Sequence, residues 1–466
     1  IFGEGAFNAA FVPLYSKKIE QEGEDAAGLF AGRVLSLMAL LLSAIFAAAY
    51  FGMEWIVTEI NPGFEGEKLQ LAVEASKITS IYLVFICLVA AVSGILNTRK
   101  IFGAPAWAYV ALNLLMIPIL IFLVARSDEP VQTMSWGVIA AGAIQLLIVV
   151  GAAIKKGIDI SPRLPVVNND VKKITILMLP GLLSAGVQQV NLLVGTAVAS
   201  LVSGGQAAMY YSDRINQLPL GVIGIAAGVV LLPEISRNLK ANKLKEAKES
   251  LAFGTDMSLL LCIPCMVAMI VIPQEIIHGI FQGGKTSSSD TLESARALCA
   301  FALGCPAYVL TKVLQPGYFA RENTRTPMIF TLISAVVNIV LVYPMFKAMG
   351  IMGCALATTI AGWVNFLLLW VGLRKTNFVK VTKTSISRWA RMLLCAVLMG
   401  GVVWGLARLA NRWIMLDANS VVDVNFAIRM ATLLAVVVVG IIAYFGFIFA
   451  TRVFSVREVK QILRRR

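Results

Sequence analysis

Apolar residues fill this chain in blocks of about twenty or more, separated by short stretches where charge, proline and glycine collect. Twelve blocks are long enough to cross the ~30 Å hydrocarbon core of a bilayer as helices. They run over 28–50, 72–96, 105–125, 134–154, 174–202, 206–236, 251–273, 293–316, 327–346, 351–373, 389–410 and 427–450. In hydrocarbon a backbone must satisfy its own hydrogen bonds, so blocks of this length predict helices. The pattern therefore predicts an all-α polytopic membrane protein.

Composition sharpens that picture: 58% of the residues are hydrophobic, only 14% are charged, and the mean hydropathy is +0.81. No soluble domain has such a balance. The net charge of +14 would suit nucleic acid, but the Lys and Arg residues alternate by loop. They crowd at Lys17–Lys18, Arg99–Lys100, Lys155–Lys173, Arg237–Lys248, Arg321–Arg325, Arg374–Arg391 and Arg452–Arg466, and are sparse in the loops between. This is the positive-inside pattern; it places alternate loops and the C-terminus in the cytoplasm and excludes nucleic acid as partner. The stretches 51–71, 274–292 and 411–426 read as long outer loops.

The first residue is Ile1, and "IFGEGAFNAAFVPLYSKK" has the form of the cytoplasmic end of a span whose beginning is absent. It lacks the basic start of a signal peptide. All seven cysteines lie in apolar blocks, so "CIPC" at 262–265 reads as buried small side chains, despite its redox-like spacing. His278 is the sole histidine, which excludes a metal site built on several histidines. No cofactor is expected.

Two passages repeat. "FVPLYSKKIEQEGEDAAGLFAGRVLSLM" from Phe11 and "LLPEISRNLKANKLKEAKESLAFGTDMSLL" from Leu231 share a form, their prolines Pro13 and Pro233 lying 220 positions apart. "GILNTRKIFGAP" and "GYFARENTRTP" recur at nearly the same offset. A repeat of six spans gives both copies one orientation. The expected organisation is a first lobe over 1–173, a second over 174–375, and a C-terminal pair of helices with a basic tail over 376–466.

Charge inside an apolar block marks candidate chemistry, because an ionised side chain at mid-span costs about 2.5–3.5 kcal/mol on insertion scales. Asp213 and Arg214 sit in such a block, and Arg214, Gln217, Gly221, Gly224 and Gly228 share one helical face. Pro219 removes one helical hydrogen bond beside them. In the preceding block Ser184, Gln188, Asn191 and Gly195 form a second polar stripe. Two such stripes suit the walls of a hydrated cavity, although Gly224 and Gly228 also fit close helix packing. An arginine beside amides suits an anionic ligand, since its planar fork matches phosphate oxygens. Glu4, which the repeat aligns with the stretch before Leu231, is the corresponding charge of the first lobe. Asp213 and Asp256 are the acids available for coupling to protons or sodium, with Asp256 also readable as a helix-start residue.

"EGAFNAAFVP" (4–13), "MYYSDRINQLPLGVIGIAAGVVLLPEIS" (209–236) and "KVLQPGYFARENTRTP" (312–327) resemble the MurJ/MviN family of lipid II flippases, within the multidrug/oligosaccharidyl-lipid/polysaccharide exporter superfamily. The resemblance covers essentially the whole chain. It implies a fourteen-span fold of two pseudo-symmetric six-helix lobes plus two C-terminal helices, of which this chain would lack the first span and most of the second. It implies a cationic cavity for the diphosphate and sugar-peptide head of lipid II, with the last two helices forming a groove for the polyprenyl tail. Carried over, Arg214 is the cavity arginine, Glu4 the acid of the "EGAF" motif, and Lys312 a basic residue of the "KVL-PG" stretch. Position 207 is Ala where some members carry a hydroxyl.

The expected function is therefore movement of lipid II from the cytoplasmic to the periplasmic leaflet by alternating access, serving peptidoglycan synthesis and cell shape. It needs no covalent step. The expected site comprises Arg214, Glu4, Asp213, Gln217, Gln188, Asn191 and Lys312, and the expected location is the bacterial inner membrane. Its partners would be lipid II and membrane lipids, with cell-wall synthesis proteins as candidates. Alternatives are a drug/cation antiporter or another polysaccharide-lipid flippase of the superfamily, which would prefer different cavity charges. A glycosyl- or phospho-transferase of the membrane would need paired carboxylates or histidines in an exposed loop, and the outer loops show no such pair. The alternating charges make one test direct: a cysteine placed at Asn242 should be shielded from a membrane-impermeant thiol reagent added outside, and one at Ser288 should react. The reverse labelling would invert the topology.

Overall fold

The structure is a computed structural model that describes residues 7–164, 186, 189–281, 288–379, 382–414 and 426–453. The described residues form helices, with no strand among them. Eleven of these helices are long and apolar enough to cross a membrane. The chain falls into two compact units, Ile1–Leu193 and Val194–Arg466.

The first unit contains α1 (Phe7–Glu22), α2 (Glu24–Phe51), α3 (Met53–Ile60), α4 (Gly66–Thr79), α5 (Tyr82–Thr98), α6 (Gly103–Pro118) and α7 (Pro130–Lys155). α8 (Gln189–Ala199) begins at its end and continues into the second unit. There follow α9 (Gly205–Pro219), α10 (Ala226–Lys240), α11 (Leu244–Val271), α12 (Pro273–Phe281), α13 (Ser288–Phe319), α14 (Arg325–Met349), α15 (Ile351–Lys375), α16 (Lys383–Ile414) and α17 (Phe426–Ala450). Two expectations change. The stretch 51–71 is largely helical, with α4 and α5 together spanning Gly66–Thr98, and the stretch 274–292 carries most of α12. Gly52 and Pro273 punctuate α2 from α3 and α11 from α12 without breaking helical structure. The block expected over 174–202 falls mostly outside the described residues.

An apolar cluster of the second unit repeats part of the core of the first. Every buried member of the cluster formed by α10, α11, α13, α15 and Phe378 has a counterpart in the core of the first unit. Phe11, Ala27, Val149 and Ile158 return as Leu231, Ala247, Leu369 and Phe378 at an offset of 220, and Leu96 as Tyr318 at 222. The copies keep positions rather than identities. Phe11 and Tyr15 shrink to Leu231 and Ile235, while Ala31, Ala91 and Ala153 grow to Leu251, Val313 and Leu373.

The helix ends repeat too. α7 and α15 both stop at a left-handed residue, Gly157 (φ 67°) and Asn377 (φ 54°). The next amides then reach back five positions, Ile158 N–H to the Ala153 carbonyl at 3.0 Å and Phe378 N–H to Leu373 at 2.9 Å. α5 and α13 stop the same way through Lys100 (φ 61°) and Glu322 (φ 59°), with Ile101 N–H on Leu96 at 3.0 Å and Asn323 N–H on Tyr318 at 3.2 Å. These are Schellman caps: they satisfy carbonyls at the helix end, and at Ile158 and Phe378 they turn an apolar residue back onto the core.

Within the second unit, hydroxyl and indole donors join helices where apolar packing has no aqueous driving force. Ser212 donates to the Ser294 carbonyl at 2.7 Å, Thr359 to Ala300 at 2.7 Å, Tyr318 to Leu369 at 2.7 Å and Tyr444 to Leu260 at 2.9 Å. The strongest tie joins α11 to α16. Buried Asp256 accepts from Arg388 Nη1 at 2.6 Å and from Trp389 Nε1 at 2.7 Å. Asp256 thus stands mid-helix in α11, not at a helix start, and is held by two donors of a neighbouring helix.

Two consequences are measurable by thermal unfolding in detergent. Gly157→Ala places a Cβ in the left-handed region and should cost about 1–2 kcal/mol, whereas Asn377→Gly should cost little or nothing; equal losses would contradict the cap assignment. Asp256→Ala strips two donors of one buried acceptor and should cost about 3–5 kcal/mol, with a smaller loss in Asp256→Asn.

Candidate functional site

α9 carries three of the expected site residues on one exposed-to-half-buried turn. The Gln217 amide donates to the Asp213 carboxylate, and its carbonyl accepts from Arg214 Nη1 at 3.4 Å. The guanidinium also lies 4.8 Å from the Tyr210 ring centroid, a cation–π contact one turn earlier. Arg214 is exposed and forms no ion pair among the described residues. Asp213, although adjacent, is engaged by Gln217 instead. The arginine is therefore positioned by a ring and an amide, with the neighbouring Asp213 carboxylate close by but not ion-paired to it.

Pro219 ends this helix, and the chain continues as one turn of π-helix, Leu220–Ile225, before α10. Proline lacks the amide that would close the α-helical bond, and a wider turn absorbs the mismatch. The same pairing occurs after Pro118, where Ile119–Leu123 is also a π-turn. The glycine face anticipated from the sequence divides here. Gly221 faces open space, but a Cβ on Gly224 would lie 3.5 Å from Lys312 Cβ and Cγ, and one on Gly228 3.5 Å from the Lys312 carbonyl. Gly224 and Gly228 are thus a seat for α13, and this part of the cavity-wall reading is corrected to helix packing.

Lys312 is consequently placed by its stem: the methylenes rest on Gly224 and the residue stays half-buried. Sequence reasoning passed over two neighbours, Tyr210 and Asn216. Tyr210 lies four residues before Arg214, a spacing that stacks side chains on a helix. Asn216 is buried with its Oδ1 lacking a hydrogen-bond partner among the described residues. Asn191 lies in the first turn of α8, half-buried. Glu4 and Gln188 lie outside the described residues. The cysteines of "CIPC" donate to helix carbonyls, Cys265 to Leu261 at 3.3 Å, and among the described residues no group of three His, Cys, Asp or Glu could hold a metal.

A second feature was legible only in outline. A cavity of about 800 Å³ opens between α11, α13, α15 and α16. Leu310, Phe366, Trp370, Ile386 and Leu393 make its walls apolar, and Lys245, Lys248 and Glu249 stand at one end. The expected groove used the last two helices. Only α16 contributes to these walls; α17 packs behind α16, with Val403 against Gly440. The Asp256 tie holds α16 in this place, and Asp256 and Trp389 are themselves part of the lining.

Comparison with known proteins agrees with the fold and motifs. The family model described as "Lipid II flippase MurJ" matches residues 1–422. A protein of Rhizobium tropici named "Probable lipid II flippase MurJ" is 36% identical over 452 residues, covering 95% of this chain and 84% of the relative. The "Lipid II flippase MurJ" of Burkholderia cenocepacia is 27% identical, covering 96% and 88%. Among solved structures, lipid II flippase MurJ in an inward closed conformation superimposes with a TM-score of 0.78 at 26% identity, covering 97% of this chain and 88% of that one. An inward-facing multidrug transporter of the MATE family shares the fold at a TM-score of 0.70 and 17% identity. A chain of membrane-crossing helices with a solitary arginine in the "DRINQLPLG" turn, matched by this family over nearly its full length, is a multi-pass membrane protein that belongs to the lipid II flippase MurJ family.

Proposed function

We propose that this protein moves lipid II from the cytoplasmic to the outer leaflet of the bacterial inner membrane by alternating access. The observation that carries the reading is Arg214: an exposed guanidinium, free of ion pairs among the described residues, in the polar first half of the membrane-spanning stretch Gly205–Lys240. Keeping such a charge in a span is costly unless water or an anionic ligand meets it. A diphosphate offers several oxygens to the planar fork, and Tyr210 and Gln217 hold that fork in one orientation. Lys312, anchored on Gly224, adds a second cation reached from α13.

The apolar cavity beside α16 takes the polyprenyl tail in this scheme. Its walls match the chemistry of an isoprenoid chain, and Lys245 and Lys248 give its end the charge expected beside a phosphate. The C-terminus and the basic loops face the cytoplasm, where lipid II is made. A drug/cation antiporter built on the same fold would need an available carboxylate; here the Asp213 carboxylate is occupied by Gln217.

Replacement of Arg214 separates this role from a structural one. Arg214→Ala should leave expression and thermal stability nearly unchanged, yet fail to sustain growth of a bacterium depleted of its own lipid II flippase. Arg214→Lys keeps the charge but loses the fork and should complement partially at best. A well-folded Arg214→Ala protein that supports normal growth would remove the diphosphate role of this residue.

A further inference from the structure

The lipid-sized cavity beside α16 has a counterpart in the first unit. A cavity of about 620 Å³ lies between α2, α5 and α7, roofed by Gly157–Pro162. Its lining is the lining of the first cavity at the repeat offset. Ser36, Ala39, Leu146, Val150 and Ile158 stand 220 positions before Asp256, Leu259, Phe366, Trp370 and Phe378, and Leu88 and Val92 stand 222 before Leu310 and Leu314. The two cavities are copies of one feature, not accidents of packing.

What covers them differs. In the second unit Asp256 recruits α16, whose Ile386, Trp389 and Leu393 close one side. In the first unit position 36 is a serine, and Ser36 Oγ accepts from the Arg163 backbone amide at 3.0 Å. The extended Asp159–Arg163 segment crosses α2 at Gly28 and Gly32, where a Cβ would strike Asp159 and the Ser161 carbonyl. Beyond it, residues 165–185 lie outside the described residues. Ile154, which lines the cavity, is 67% exposed.

We propose that this cavity is a phospholipid site: one acyl chain from the bilayer occupies it, and an anionic headgroup rests on Lys155 and Lys156. Both lysines are exposed at the end of α7, immediately before the roof. The other charges of the segment neutralise each other, Arg163 pairing with Asp159 at 3.0 Å. Charge must supply the selectivity, because bilayer chains are as apolar as the cavity walls and gain nothing by moving between them. A zwitterionic headgroup offers the two lysines less.

The test is lipid retention by the purified full chain, measured by native mass spectrometry after equilibration with phosphatidylglycerol or phosphatidylcholine. The wild type should hold phosphatidylglycerol at least fivefold better. Ala39→Phe, which fills the cavity, should remove one bound phosphatidylglycerol per protein, and Val150→Phe serves as the second filling variant should the first unfold. Lys155→Gln with Lys156→Gln should bring the preference close to one. Equal retention of the two lipids by the wild type, or unchanged stoichiometry in both filling variants, would overturn the site. Because the readout is lipid retention, its failure is distinguishable from failure of lipid II transport.

Discussion

Hydrocarbon offers no hydrogen bonds, and that single constraint organises this molecule. The described spans are helical almost throughout, and the two π-turns among the described residues follow proline, at Pro118 and Pro219. The second π-turn sits one turn beyond the Arg214 cluster. Where water is absent a polar group must be partnered or useful, so the placement of each one is informative. Ser212, Thr359 and Tyr318 are partnered across helices. Arg214 is not, which is why the functional argument converges on it.

The repeat shows how one scaffold acquires two uses. The same cap, with a left-handed residue followed by an apolar one, folds Ile158 and Phe378 onto equivalent cores. From that common point the units diverge through a single position. A serine at 36 accepts one backbone amide and holds a short strap, whereas an aspartate at 256 accepts a guanidinium and an indole and docks an entire helix. Buried charge is costly alone but specific when satisfied, and here it selects which segment lies over the cavity.

Much of this was readable beforehand, and the exceptions have physical causes. Span positions followed from apolar block length, because membrane insertion depends on exactly that property summed over a helix; α3 and α12 escaped because short helices at an interface carry no such run. Pro13 and Pro233 revealed the repeat, but its shift to 222 within α13 needed the cores to be superposed. Arg214 stood out as a charge among apolar residues, while Gly224 and Gly228 gave the same pattern for a cavity wall or a helix seat. Only the contact with Lys312 separates those two. The Asp256–Arg388 pair joins residues far apart in sequence, and nothing local to either announces the other.

A cationic turn for a diphosphate and an apolar cavity for a prenyl chain together suit the movement of lipid II itself. The most direct measurement uses vesicles carrying the purified protein and fluorescent lipid II, with a membrane-impermeant quencher added outside. The account predicts that head groups initially shielded inside become quenchable much faster than in protein-free vesicles. Head groups that stay shielded at the protein-free rate, in vesicles whose protein nonetheless transports a cationic dye, would contradict it.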